Sequence, residues 1–207
     1  MSLSREPPES VTVQGKEYPV DTDFRRWIEF QGMLVAKEDD TTKAERLCGF
    51  MKSLGLPPSQ ESLEAMMEFY SAASQEKPGA GKARPQAFDF EQDSEFIFSA
   101  FWECYGIDLS IVKLHWWRFK ALFKSLPQDC EICRIMGYRT ADMKDVPKHQ
   151  KQFYREMKAR YALNGGNPAY RTEQDMKDYV KRRYEEAQIR MSLLRGGGQS
   201  GDAGSKS

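Results

Sequence analysis

Two adjacent tryptophans, Trp116 and Trp117, lie in the stretch from Tyr105 to Arg139 around which the rest of this chain must be organised. Its centre, Leu114 to Leu126, reads LHWWRFKALFKSL and carries only three basic residues among its aromatics and leucines. A segment that apolar has to be buried, either by its own chain or by a partner. As a helix, at about 100° per residue, it puts Trp116, Phe119, Phe123 and Leu126 on one side, with Val112 and Leu122 widening the arc. Trp117 points about 100° away from Trp116 and falls among Lys113, Lys120 and Lys124, with Leu114 and Ala121 flanking it. This second stripe can be read in two ways. It belongs to a central helix contacted on both sides, or Trp117, framed by Lys113, Lys120 and Lys124, is an anchor for a partner. Tryptophan is enriched at interface hot spots.

The 207 residues are 40% hydrophobic and 30% charged, a globular composition with room for a real core. Net charge is zero, which gives no global electrostatic case for nucleic acid. The charge is unevenly spread. Residues 1–103 hold 11 Lys and Arg against 19 Asp and Glu, a net of −8, and the remainder carries +8. Such an acidic front and basic back can pair within one molecule or head to tail between copies. No apolar run approaches the roughly 18 residues that span a bilayer. The opening MSLSREPPES has no apolar signal region, so the expected location is the cytoplasm in which the chain is made. Four cysteines in such a setting are expected as free thiols.

Mainly α structure is expected, a helical bundle with a short N-terminal β-hairpin and a disordered C-terminal tail. After a loose segment 1–9, VTVQGKEYPV alternates as a hairpin turning at Gln14-Gly15, with Pro19 confined to an edge and the whole leaning on the helix that follows. Asp21, Thr22 and Asp23 offer caps for that helix, which carries Phe24, Trp27, Ile28, Leu34 and Val35. Thr41 or Thr42 would cap the next helix, with Ala44, Leu47, Cys48, Met51 and Leu54 inward and Gly55 as its left-handed stop. Ser59 caps a third, lined by Leu63, Met66, Met67 and Tyr70. Residues 75–87, QEKPGAGKARPQA, form a linker or long loop within a helical domain over 10–163. Asp93 would cap a largely buried helix with Phe96, Ile97, Ala100, Phe101 and Cys104 on one face and Phe98, Trp102 and Tyr105 on others, ended by Gly106. Pro127 closes the tryptophan helix, and a short helix runs from Gln128-Asp129 to Gly137. A more polar helical region carries Phe153, Tyr154, Met157 and Tyr161. Residues 164–195 read as a turn and a highly charged helix, and 196–207 as the disordered tail.

Catalytic chemistry is not legible. His115 sits beside the tryptophans and reads as a satisfied core or edge histidine. Cys130-Glu-Ile-Cys133 lacks both the βαβ context of a redox motif and the second ligand pair of a zinc site. No catalytic, cofactor-binding or metal residues are assigned, and no small-molecule substrate or membrane is expected. The basic cluster Lys177, Lys181, Arg182 and Arg183 is interrupted by acids, which favours a solvated helix over a nucleic-acid surface.

KEYPVDTDFRRWIEF, YGIDL, LHWWRFKALFKSL and IMGYR, in that order, resemble the bacteriophage gene-product-fifteen family over about residues 10 to 163. The resemblance implies a protein of long-tailed phages and prophages whose gene lies between those of the major tail protein and the tape-measure protein. That place is usually held by tail assembly chaperones, which coat the tape measure during tube assembly and then leave. The expected function is therefore a non-catalytic chaperone that binds and solubilises the tape-measure protein. It would act in the host cytoplasm and be absent from the mature virion. A structural tail component retained in the particle and a nucleic-acid-binding phage protein are the competing expectations.

Overall fold

The computed structural model describes residues 6–71 and 85–163, together with Lys181 and Glu185. The described chain is mainly α with one two-stranded hairpin, as the residue patterns imply. It divides into two compact units. Among the described residues, a hairpin unit takes 8–21 and 29–71 with Lys181 and Glu185, and a tryptophan unit takes 6–7, 22–28 and 85–163.

In the hairpin unit, β1 (Ser10–Val13) pairs antiparallel with β2 (Lys16–Pro19), with Val13 opposite Lys16 and Ser10 opposite Pro19. Gln14 and Gly15 turn the chain with φ of 50° and 77°, the two positive angles that match a tight turn to strand twist. A hairpin this small needs an apolar support. Val11 and Val13 are buried, and β1 packs on α3 (Gln60–Ser71) rather than resting mainly on the helix that follows it in sequence.

α1 (Phe24–Val35) contributes Phe24–Ile28 to the tryptophan unit and its remaining residues to the hairpin unit. Asp23 Oδ1 accepts the Arg25 backbone N–H at 3.0 Å, which selects Asp23 from the three candidate caps. α2 (Asp40–Ser53) is capped by Asp39, whose carboxylate accepts from the N–H groups of Thr41 and Thr42 and from the Thr42 hydroxyl. The expected cap at Thr41 or Thr42 is thus displaced by two or three residues. The Asp39 carboxylate satisfies two orphan N–H groups at once, and the threonines serve as donors. Gly55, at φ 74°, stops α2, and Leu56 N–H reaches back to Met51 O at 2.9 Å. Ser59 Oγ accepts the Ser62 N–H and caps α3 as expected.

Leu47, Met51, Leu63 and Met66 are almost fully enclosed between these helices, and Phe30 meets the rings of Phe50 and Tyr70 at 5.7 and 5.8 Å. Lys43 is buried, and its ammonium donates to Leu34 O at 3.2 Å. That places a cation at the negative end of the α1 dipole. Lys181 and Glu185 are helical and meet the outer side of α3, as Lys181 to Glu64 at 2.8 Å and Gln60 to Glu185 at 2.9 Å. Residues 1–5 of the expected loose start, the linker to residue 84, and the turn, charged helix and tail beyond residue 163 otherwise lie outside the described residues, whereas Glu9 O accepts the Val20 N–H at 2.9 Å beside the hairpin.

The tryptophan unit adds α4 (Ser94–Tyr105), α5 (Trp116–Lys124), α6 (Glu131–Thr140), a 3-10 turn at Lys148–Gln150 and α7 (Lys151–Arg160). Its core is a stack of rings around Phe119. Phe24 lies 4.6 Å from it, Phe101 5.1 Å, Trp116 5.9 Å and Phe123 6.1 Å, all within 15° of parallel. Phe88 and Phe90 close over this stack edge-on or tilted. Two backbone hydrogen bonds, Phe24 N–H to Leu114 O and Trp116 N–H to Thr22 O, tie the starts of α1 and α5 together. They explain why α5 begins only at Trp116: Leu114 and His115 are extended, and Asp23 and His115 form an isolated β-bridge. α6 starts at Glu131, with the extended Cys130 at its cap position, rather than at Gln128-Asp129, and runs through Gly137 to Thr140.

Candidate partner-binding surfaces

Asp93 occupies the cap position of α4, but its side chain makes no capping bond there. It is buried and accepts from both terminal nitrogens of Arg139, at 2.5 and 2.8 Å, and from the Asp89 N–H at 2.9 Å. The rest of the Arg139 fork donates to Tyr161 O and Ala87 O. Lys158 Nζ then donates to the carbonyls of Arg139 and Ala141, each at 2.8 Å. This network fastens the start of α4, the end of α6, α7 and the segment before α4. A buried charge pair is tolerated here because the fork is bidentate and its remaining protons are used.

With its start locked, α4 turns Ile97, Ala100 and Phe101 inward and leaves Phe98 (38% exposed) and Trp102 (54% exposed) outside. The expectation that this helix is largely buried is therefore wrong on that face. Phe98 and Trp102 are one turn apart and share it with Glu95 and Ser99, the i, i+3, i+4, i+7 spacing of a helix stripe. Beside them opens a groove of about 570 Å³. The buried rings and side chains of Phe24, Phe119, Ile97 and Leu109 make its apolar floor, and Phe98 stands at its rim. Arg25 also lines it, held by Asp23 and by the carbonyls of Leu109 and Val112, with its guanidinium 4.6 Å from the Phe24 ring centre.

Trp117, the sequence candidate for an anchor, is half-buried on α5. Its backbone N–H donates to His115 Nδ1 at 3.0 Å, so His115 serves as the helix cap, and the two rings meet edge-on. Lys120 is half-buried with its ammonium 5.6 Å from the centre of the Trp116 ring, a cation–π contact with the buried tryptophan. Lys124 is exposed in the last turn of α5. Lys113 is exposed too, but it precedes the helix. The structure thus keeps Trp117, Lys120 and Lys124 on one element and separates Lys113 from it. The second apolar stripe through Leu114 does not form, and Val112 is exposed rather than inward, because neither residue is helical.

Cys104, Cys130 and Cys133 are brought together where α4 ends and α6 begins. Burial, then a hydrogen bond with Cys130 and the neighbouring charges of Cys130 and Cys104, push the Cys133 thiol up to about 12. A thiol held protonated in this way is a poor nucleophile. Among the described residues, no group of three or more His, Cys, Asp or Glu is placed to hold a metal ion, and no helix is long and apolar enough to cross a membrane.

The family model described as Bacteriophage Gp15 protein matches residues 3–163. No curated protein and no solved structure matches the chain. The match covers both tryptophans, the aromatic stack, the Asp93–Arg139 pair and the α4 groove, and the chain therefore belongs to the bacteriophage Gp15 family.

Proposed function

We propose that this protein is a non-catalytic tail assembly chaperone that binds the tape-measure protein and keeps it soluble while the tail tube grows around it. The observation that carries this reading is the α4 face, where an aromatic pair stands exposed beside an open apolar groove. A tape measure is a long helical chain with apolar stripes, which aggregate when uncovered. Helix-in-groove docking is the ordinary way for a small helical protein to cover them. The tail-region position implied by the family resemblance supports the same reading. Trp117, with Lys120 and Lys124, is a second patch on the same unit. The acidic front and basic back allow copies to sit head to tail along one tape measure.

Co-expression with the tape-measure protein of the same phage genome, followed by pull-down and size-exclusion with light scattering, tests the proposal. The expected result is a tape measure that is soluble only in the presence of this protein, in a complex of many copies per chain. Mass spectrometry of finished particles should then not find it. A tape measure that ignores the protein, together with its presence in purified particles, would replace the chaperone by a structural tail component.

A further inference from the structure

We propose that the α4 groove, rather than the Trp117 patch, is where the tape measure docks, and that it selects a helix whose apolar stripe is flanked by lysine or arginine. The inference rests on the chaperone reading and adds the surface and the chemistry of its occupant. Three observations converge on one face. The groove floor is apolar and already built, so a docking helix finds a shaped surface. Phe98 and Trp102 repeat every four residues, the spacing at which side chains of a second helix interleave. The helix side of this face carries a carboxylate and no cation: Glu95 is exposed and lines the groove, and Ser94–Tyr105 contains no lysine or arginine.

Arg25 lines the groove on the α1 side, and it is committed to Asp23 and to the carbonyls of Leu109 and Val112. It holds the groove wall and leaves Glu95 to set the preference. A docking helix that lays leucines or aromatics along Phe98 and Trp102 brings a flanking cation over Glu95. An acidic helix is repelled there, so sign discriminates between stripes of equal hydrophobicity. The Trp117 patch, with Lys120 and Lys124, has the opposite sign. The two surfaces therefore ask for different partners, and charge-changing variants separate them.

The test uses the full chain co-expressed with its tape-measure protein, comparing wild type with Trp102→Asp, Glu95→Lys and Trp117→Ala. Each variant is first checked for an unchanged helical spectrum and thermal midpoint. The expected result is capture weakened about tenfold or more by Trp102→Asp and by Glu95→Lys, with Trp117→Ala close to wild type. If Trp102→Asp fails to fold, Glu95→Lys carries the test, since Glu95 is exposed. Changing the facing tape-measure cation to glutamate should restore capture by Glu95→Lys. Failure of the wild type to capture the tape measure would sink the chaperone reading itself. Capture lost in Trp117→Ala and kept in both α4 variants would overturn the groove alone. So would a change of oligomeric state in Trp102→Asp with capture intact, which would assign the face to a second copy of this chain.

Discussion

The two units solve the same packing problem with different materials. The hairpin unit encloses flexible aliphatic and methionine side chains, Leu47, Met51, Leu63 and Met66, with a few rings among them. The tryptophan unit encloses flat rings stacked on Phe119. Methionine adapts to irregular gaps, whereas a stack of rings fits only where its planes are parallel. The difference reaches the surface. All five large hydrophobic side chains that stand exposed among the described residues, Phe98, Trp102, Ile111, Val112 and Phe153, belong to the tryptophan unit. One unit finishes its core, and the other leaves a face to be covered.

The largest effect expected on this comparison is the loss of the Asp93–Arg139 pair. Asp93→Ala or Arg139→Met strands a buried charge and should cost about 3–5 kcal/mol in chemical denaturation. Replacing both by apolar residues should cost less than either single change. A double variant as damaged as the worse single one would mean that the backbone bonds of Arg139 matter more than the ion pair.

Next come the cores themselves. Phe119→Ala should cost about 3–5 kcal/mol and Met66→Leu less than about 1.5 kcal/mol. The sharper measurement is Phe119→Leu against Met66→Leu, because each keeps an apolar residue. Equal losses in the two would refute the contrast between a ring stack and an adaptable core.

Ser59→Ala removes the α3 cap and should cost about 1 kcal/mol, confined to the hairpin unit and visible as faster amide exchange near Gln60–Leu63.

The two units should also differ in their sensitivity to pH. In the hairpin unit, the Thr42 hydroxyl and N–H groups hold the Asp39 carboxyl below its usual range. A depressed carboxylate contributes stability above its unfolded pKa, and that stability is lost as pH falls through the folded value. In the tryptophan unit the Ser110 hydroxyl and N–H hold Asp108 low in the same way, and one thiol adds the opposite sign. The Cys133 thiol, raised from 9.0 to about 12, stays protonated while the unfolded chain ionises. Its contribution is complete below pH 9 and drains away as pH rises toward 12. Denaturation followed between pH 8 and 11 should show this alkaline slope in the wild type and a shallower one in Cys133→Ala. Identical slopes would remove Cys133 as the cause.

The smallest effect on stability is expected at the exposed face. Trp102→Asp should change stability by no more than about 0.5 kcal/mol, because that ring already faces solvent. A substantial loss would mean that Trp102 packs in solution and is no docking residue.

Local structure was legible in the residues wherever a short-range rule governs it. The Gln14-Gly15 turn, the Gly55 and Gly106 stops, the Asp23 and Ser59 caps and the apolar period of α3 each follow from groups a few residues apart. The candidate surface was only half legible. Trp117 stood out because it is adjacent to another tryptophan. Phe98 and Trp102, in an apolar helix, looked like core. Their signal was the stripe with Glu95 and Ser99, but periodicity reports which residues share a face and not whether anything covers it.

The sequence by itself therefore determined the kinds of element, their turns and the caps at Asp23 and Ser59, and it carried the family. Tertiary structure alone decided that Asp93 leaves its cap for Arg139, 46 residues away, that α5 waits for Trp116 because Thr22 claims its first N–H, and that α4 turns two aromatics outward. Caps and turns are settled within about four residues of chain, whereas a buried ion pair and an uncovered face depend on which distant elements arrive beside them.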